Sequence, residues 1–164
     1  MNIRRLEEKD IASCLDIYNY YIANTCYTLE EDRLTLDVFK TRCNNIKSKY
    51  PYIVAENELK EVIGYAYLSS FITRSAFHIT ADLSIYVSNK HTNEHVGQLL
   101  LSKIEELALK SGITNIVSIV TSTNETSKIF HERNGFILEG VIHDVAIKFN
   151  EVLSVNYYRK HLDI

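Results

Sequence analysis

The sequence predicts a single-domain α/β fold: a mixed β-sheet flanked by helices, with elements in the order βααββ, then βαβ, then αββ. Three observations carry this. Residues 77–87 alternate strictly between apolar and polar, Val96 to Leu107 repeat at helical spacing, and the β-branched run NIVSIVT follows at 115–121. In that order they form a βαβ unit, and 164 residues with 46% apolar and 24% charged content suit one globular domain. Only five glycines and one proline occur, with no repeat and no low-complexity linker, so domain boundaries within the chain are not expected.

Asn2 to Leu6 reads as a first strand. Ile11, Cys14, Leu15, Tyr18, Tyr21 and Ile22 recur at three-and-four spacing, an amphipathic helix for which Asp10 is the expected cap. Thr35 to Lys49 carries Leu36, Phe39, Cys43 and Ile46 as a second helix, with Pro51 punctuating its end. YIVAE and VIGYAYLSSF flank the polar tip Asn57 to Glu61 as a hairpin. Phe77 to Val87 is a strand with Ile79, Ala81, Leu83, Ile85 and Val87 toward the core and Thr80, Asp82, Ser84 and Tyr86 on a polar face. Val96 to Lys110 is the third helix, stopped by Gly112. NIVSIVT reads as a strand buried on both faces, as in parallel pairs. Asn124 to Asn134 is a short helix capped by Asn124 and closed by Gly135, with strands following near Phe136 to Ile147 and Leu153 to Arg159.

Composition excludes several classes of function. Lys plus Arg number 18 against 21 Asp plus Glu, a net charge of −3, which offers no basic field for nucleic acid or anionic lipid. The longest apolar stretch, near Val62 to Leu68, is too short to cross a bilayer. MNIRRLEEKD leads into no apolar signal region, so the expected location is the cytoplasm. Cys14, Cys26 and Cys43 are odd in number and without paired spacing, consistent with small core residues in a reducing compartment.

Four constellations bear on chemistry. VSNKHTNEHVGQLL joins a strand to a helix whose first N–H groups suit an anionic phosphate, although Gly97 alone also serves simply to close the turn. His91, Glu94 and His95 spell His-x-x-Glu-His, a zinc peptidase signature that requires these residues to be helical, whereas the apolar stripe begins only at Val96. Asp82, within a strand, is either a general base or a structural carboxylate paired with Arg or Lys. Asn124, Ser127 and His131 share one helical face and can converge on a ligand, or else serve as a cap and a satisfied histidine. No Gly-x-Ser-x-Gly elbow is present, so a serine hydrolase gains no support.

IYNYYI with NTCYTLE, FITRSAFHITADLSIYV, a strand–loop–helix and NETSKIFHERNGF together resemble the GNAT superfamily of acetyl-coenzyme A-dependent N-acetyltransferases, specifically its phosphinothricin and methionine sulfoximine acetyltransferase branch. The resemblance spans nearly the whole chain. It implies a sheet splayed between its fourth and fifth strands, with pantetheine pairing to the backbone of Ile85, Tyr86 and Val87. It places pyrophosphate over Asn93, Glu94, His95, Val96, Gly97 and Gln98, and cofactor contacts at Asn124 and Ser127. Arg74, Ser75, Ala76 and Asp82 would line the substrate pocket, where the planar fork of Arg74 suits a carboxylate. The implied function is acetyl transfer from acetyl-CoA to the primary amine of a small amino acid or analogue, without metal, by a homodimer.

In this resemblance Asp82 takes the place of the branch's catalytic glutamate as acceptor of the amine proton. His131 stands where many members have a tyrosine, as donor to the departing thiolate. The superfamily's Arg/Gln-x-x-Gly-x-Gly/Ala loop retains only Gly97, with Thr92, Asn93 and His95 at the other signature positions. The branch's Gly-x-Lys-x-Gly becomes Ala146 to Asn150 with Lys148 alone kept. Two alternatives share the fold: a noncatalytic acyl-CoA-binding or protein-interaction domain, and an acetyltransferase of protein N-termini.

Overall fold

Two apolar clusters on opposite faces of one sheet organise the chain, and the alternation along each strand sorts its residues between them. The computed structural model describes residues 1–163. Its strands are β1 (Asn2–Arg5), β2 (Tyr52–Glu56), β3 (Val62–Ser70), β4 (Thr80–Val87), β5 (Asn115–Thr121), β6 (Ile137–Lys148) and β7 (Glu151–His161). The helices are α1 (Ile11–Asn24), α2 (Leu36–Lys47), α3 (Val96–Lys110) and α4 (Glu125–Arg133). In space the strands run β1-β2-β3-β4-β5-β7-β6, antiparallel throughout except for the β4–β5 pair.

On one face, Ile53, Ala66, Leu68, Ala81, Leu83 and Ile116 pack with Leu100, Leu101, Ile104 and Ala108 of α3. On the other, Tyr52, Val54 and Tyr65 pack with Ile11, Cys14, Leu15, Tyr18 and Ile22 of α1 and Phe39 and Cys43 of α2. Arg4 ties the start of the chain to the sheet. Its guanidinium donates to both oxygens of buried Asp10, at 2.7 and 2.9 Å, and to Glu56 at 3.0 Å, so these carboxylates are paired where unpaired ones would be costly.

The structure differs from the sequence expectation at four places. Asp10 does not cap α1 with its side chain; the carboxylate is held by Arg4 and by the Glu7 N–H at 2.8 Å. Residues 77–79 are not strand, because the chain winds into a 3-10 turn, Ser75–Ile79, closed by the Phe77 N–H on the Arg74 carbonyl. NIVSIVT is buried on both faces except at Ile119, which is 43% exposed, and its parallel partner accompanies it for only three residue pairs. Cys26 lies half-buried in the α1–α2 connection, whereas Cys14 and Cys43 are core residues as expected; all three are free thiols.

The β4 face carrying Ser84 and Tyr86 is covered rather than open. Tyr86 sits against Tyr18, Tyr21 and Tyr65, with ring centroids 5.1 to 5.7 Å apart. No helix of the described residues is long and apolar enough to cross a membrane.

Gly64 sets how closely α3 approaches the sheet. A Cβ there would stand 2.9 Å from Val96 Cγ1, 3.3 Å from Leu100 Cδ1 and 3.3 Å from the Tyr86 carbonyl oxygen, with both side chains buried. Gly64→Ala is therefore expected to destabilise the fold by roughly 1–3 kcal/mol, measured by urea denaturation.

Candidate active site at the parting of two strands

The parallel pairing of β4 and β5 covers Thr80↔Asn115, Ala81↔Ile116 and Asp82↔Val117, and then stops. Each strand continues in company with its other neighbour. β4 stays paired with β3 as far as Gly64↔Val87, and β5 with β7 as far as Thr121↔Val155. The result is a V-shaped gap with Asp82 at its apex, opening along the last five residues of β4.

Backbone parity decides which groups face the gap. The Ser88 N–H donates to the Ile63 carbonyl on the β3 side, while the Ile79 carbonyl accepts the Thr114 N–H on the β5 side. In-plane groups alternate along a strand, so the N–H and C=O of Ile85 and Val87 turn toward the gap and those of Tyr86 toward β3. Of the three backbone partners expected for pantetheine, two are therefore presented and Tyr86 is not. The Val87 carbonyl already accepts a hydrogen bond from the Tyr21 hydroxyl of α1. That contact joins residues 66 apart, and no local pattern in the sequence signals it.

The loop that follows β4 keeps a glycine-like path without the glycines. Asn93 and His95 both have positive φ, 70° and 61°, the left-handed region that disfavours side chains. His95 is the last residue before α3, and its side chain makes no capping bond. The free N–H groups of Val96, Gly97 and Gln98 therefore remain available at the positive end of the helix dipole. A Cβ on Gly97 would stand 3.4 Å from the Phe130 ring, so α4 packs directly beside this helix start. Gln98 donates to Asn134 at 2.8 Å across the same junction. Glu94 is engaged by His91 at 2.8 Å, and the 91–95 segment is not helical, so it lacks the geometry a zinc peptidase requires. No group of three or more His, Cys, Asp or Glu side chains able to hold a metal occurs among the described residues.

On α4, Asn124 caps the helix by accepting the Ser127 N–H at 3.2 Å. Ser127 in turn accepts from His131, its carbonyl 2.6 Å from Nδ1, and its hydroxyl lies 3.3 Å from the same nitrogen. The imidazole is only 5% exposed, stacked on Tyr158 and edge-on to Phe130 and Phe136. Burial lowers its pKa, so the ring is neutral at pH 7. With Nδ1 donating to a carbonyl, Nε2 carries a lone pair, and that buried atom has no partner. In this state His131 accepts a proton; donation to a thiolate requires that Nε2 first take one up.

Asp82 has no ion pair and no side-chain hydrogen bond among the described residues, which removes the reading of a structural carboxylate held by Arg or Lys. Burial alone pushes its pKa up to about 6. Arg74, Ser75 and Ala76 are exposed in the turn leading into β4, and the Arg74 guanidinium is unpaired among the described residues. Asp82 and His131 are not brought together. Asp82 shares its face of β4 with Ser84 and Tyr86, toward α1 and α2, whereas His131 packs on Tyr158 and Phe136 in the cluster beneath α3. The gap between β4 and β5 is the passage between those two faces.

A family model described as an acetyltransferase (GNAT) domain matches residues 3–154. The chain belongs to the GNAT acetyltransferases. Among its relatives, an L-methionine sulfoximine/L-methionine sulfone acetyltransferase of Pseudomonas aeruginosa is 30% identical, over 99% of this chain and 95% of that protein. A GNAT superfamily phosphinothricin acetyltransferase from Sinorhizobium meliloti, solved in complex with acetyl-CoA, superposes with a TM-score of 0.94 at 28% identity, covering 98% of this acetyltransferase and 88% of that chain. A ribosomal-protein-alanine N-acetyltransferase from Brucella melitensis superposes with a TM-score of 0.94 at 28% identity, covering 99% and 100%.

The left-handed conformation of His95 has a measurable cost. His95→Gly is expected to raise the stability of the folded acetyltransferase by roughly 1 kcal/mol, read from the urea midpoint at constant m-value.

Proposed function

We propose that this protein transfers the acetyl group of acetyl-CoA to the primary amine of a small amino acid or analogue of the phosphinothricin and methionine sulfoximine kind. The observation that carries this reading is the parting of β4 and β5, with a half-buried carboxylate lacking a counter-ion at its apex. The residues fit the cosubstrate. Ile85 and Val87 present backbone groups to an extended amide-bearing arm, and the start of α3 presents N–H groups to a diphosphate. His95, with a free imidazole at that start, donates to a phosphate oxygen, while Asn124 and Ser127 line the route from α4. Acetyl-CoA supplies an activated thioester carbonyl.

The amine reaches Asp82 from the α1–α2 face, and the unpaired, exposed Arg74 fork in the turn leading into β4 is the group suited to a carboxylate. A carboxyl group with a pKa of about 6 is ionised at pH 7 yet basic enough to take the ammonium proton, directly or through water. The Ile85 and Val87 N–H groups lie along the gap as donors to a carbonyl oxygen. His131 lies on the opposite face with its buried Nε2 unpartnered, the candidate atom to take up a proton and pass it to the departing thiolate.

One neighbour, the Brucella melitensis protein, favours a second reading in which the acceptor is a protein N-terminus. Free amino acids that are acetylated and that inhibit peptide acetylation decide for the first reading. Three free thiols and a small charged cosubstrate suit the cytoplasm.

We also propose a homodimer formed through β6. This edge strand covers 12 residues, with irregularities between Leu138 and Gly140 and between Ile142 and Ala146, and exposes Ile137, Leu138, Ile142, Val145 and Ile147. Edge strands of monomers are ordinarily short or blunted by charge.

Asp82→Asn is expected to lower kcat at least 100-fold with a smaller change in acetyl-CoA affinity; equal rates in variant and parent remove Asp82 from the mechanism. The rate of the parent is expected to fall as pH drops through about 6, where Asp82 takes up its proton. Stability has the opposite dependence. The pKa is raised on folding from 3.8, so the favourable contribution of the protonated form is complete below about 4 and lost as pH rises through about 6. At pH 7 Asp82→Asn is therefore expected to be the more stable protein. His95→Gly is expected to bind acetyl-CoA more weakly in calorimetry, and tighter binding excludes His95 as a phosphate donor. Ile142→Lys is expected to convert dimer to monomer in sedimentation; a monomeric parent refutes the β6 interface.

A further inference from the structure

Lys148, the last residue of β6, is 2% exposed. Its neighbours Phe149 and Asn150 form a two-residue hairpin turn with φ of 52° and 59° at both central positions, the path of a type I′ turn. Its ammonium donates to the Thr28 carbonyl at 2.8 Å, 120 residues away in sequence. No carboxylate lies within ion-pair distance of it among the described residues; Glu30 and Glu31 act only at longer range. A buried ammonium whose partners are one neutral carbonyl and the Phe149 ring, 5.2 Å from it, is costly, and a methionine of similar length would pack there more cheaply. The group needs a task that packing does not supply.

Thr28 is the centre of a hydrogen-bonded chain. Its hydroxyl donates to the Tyr18 hydroxyl at 2.9 Å, and Tyr18 donates to Glu30 at 2.6 Å. The guanidinium of Arg42 holds Glu30 through both carboxylate oxygens. The Tyr18 ring stands edge-on to Tyr86, which shares its face of β4 with Asp82. Residues 25–32 therefore lie over the face from which an amine reaches Asp82, secured from below by the β6–β7 hairpin.

We propose that Lys148 is a positioning residue for the acceptor, clamping the Thr28 carbonyl so that residues 25–32 form a fixed wall of the amine pocket. This rests on the reading that the amine approaches Asp82 from the α1–α2 face.

The test compares the parent with Lys148→Met, using L-methionine sulfone as acceptor. The variant is expected to raise the acceptor KM about tenfold, with kcat within twofold and the calorimetric Kd for acetyl-CoA unchanged. Hydrogen exchange of the amides in residues 25–32 is expected to accelerate at least tenfold while that of α3 stays as in the parent. Thr28→Val, which keeps the carbonyl but cuts the hydroxyl link to Tyr18, is expected to show a smaller rise in KM in the same direction, and it carries the test if Lys148→Met does not fold. An unchanged acceptor KM, an equal loss of acetyl-CoA binding, or unaltered exchange in residues 25–32 overturns the clamp. If the parent acetylates no amino acid, the reading of the acceptor fails, and the exchange measurement still decides the clamp.

Discussion

The hydrogen-bond register between β4 and β5 ends at Asp82↔Val117, and the rest of the site follows from that termination. Two antiparallel neighbours hold the parted strands in place: β3 grips β4 to its end, and β7 grips β5 to its end. The gap is therefore a property of the sheet's outer pairings rather than of any residue within it. A strand edge with unpaired amides is ordinarily a liability. Here it is enclosed by helices on one side and by a tyrosine cluster on the other, which leaves Ile85 and Val87 directed at a confined space. The same enclosure raises the pKa of Asp82, because a carboxyl group at the apex has little water and no cation to favour its charge.

The turn into α3 shows how backbone geometry outlasts the residues that usually provide it. Asn93 and His95 take the left-handed conformations that glycine adopts without penalty, and α3 still begins with its N–H groups unobstructed. Close packing nearby stabilises the strained path: Val96 is seated on Gly64, and Phe130 on Gly97. Asn tolerates positive φ better than most residues, so the burden falls chiefly on His95.

Much of this architecture was legible in sequence. Period-2 alternation located β4, the apolar stripe located α3, and the spacing of Asn124, Ser127 and His131 placed three polar groups on one face of α4. Features that depend on partners distant in the chain were not. Strand alternation cannot say where a neighbour departs, so the gap came only from resemblance. Nor does local pattern reveal that Asp10 would be claimed by Arg4, that the Tyr21 hydroxyl would reach Val87, or that Asp82 and His131 would lie across the sheet from each other. The turn at 75–79 looks like strand in the sequence because its apolar positions continue the alternation of β4, while its hydrogen bonds are those of a tight helical turn.

The placement of Asp82 and His131 on opposite sides of the sheet also divides the molecule's evolutionary freedom. In the proposed reading nucleotide capture falls to 85–98 and 124–134, and the surroundings of the incoming nucleophile to 18–42, 71–79 and the hairpin after β6. These two sets of segments meet chiefly through β4 and β5. Mutational drift can remodel one without retuning the other, so diversification toward new metabolites needs no reinvention of the grip on the shared donor.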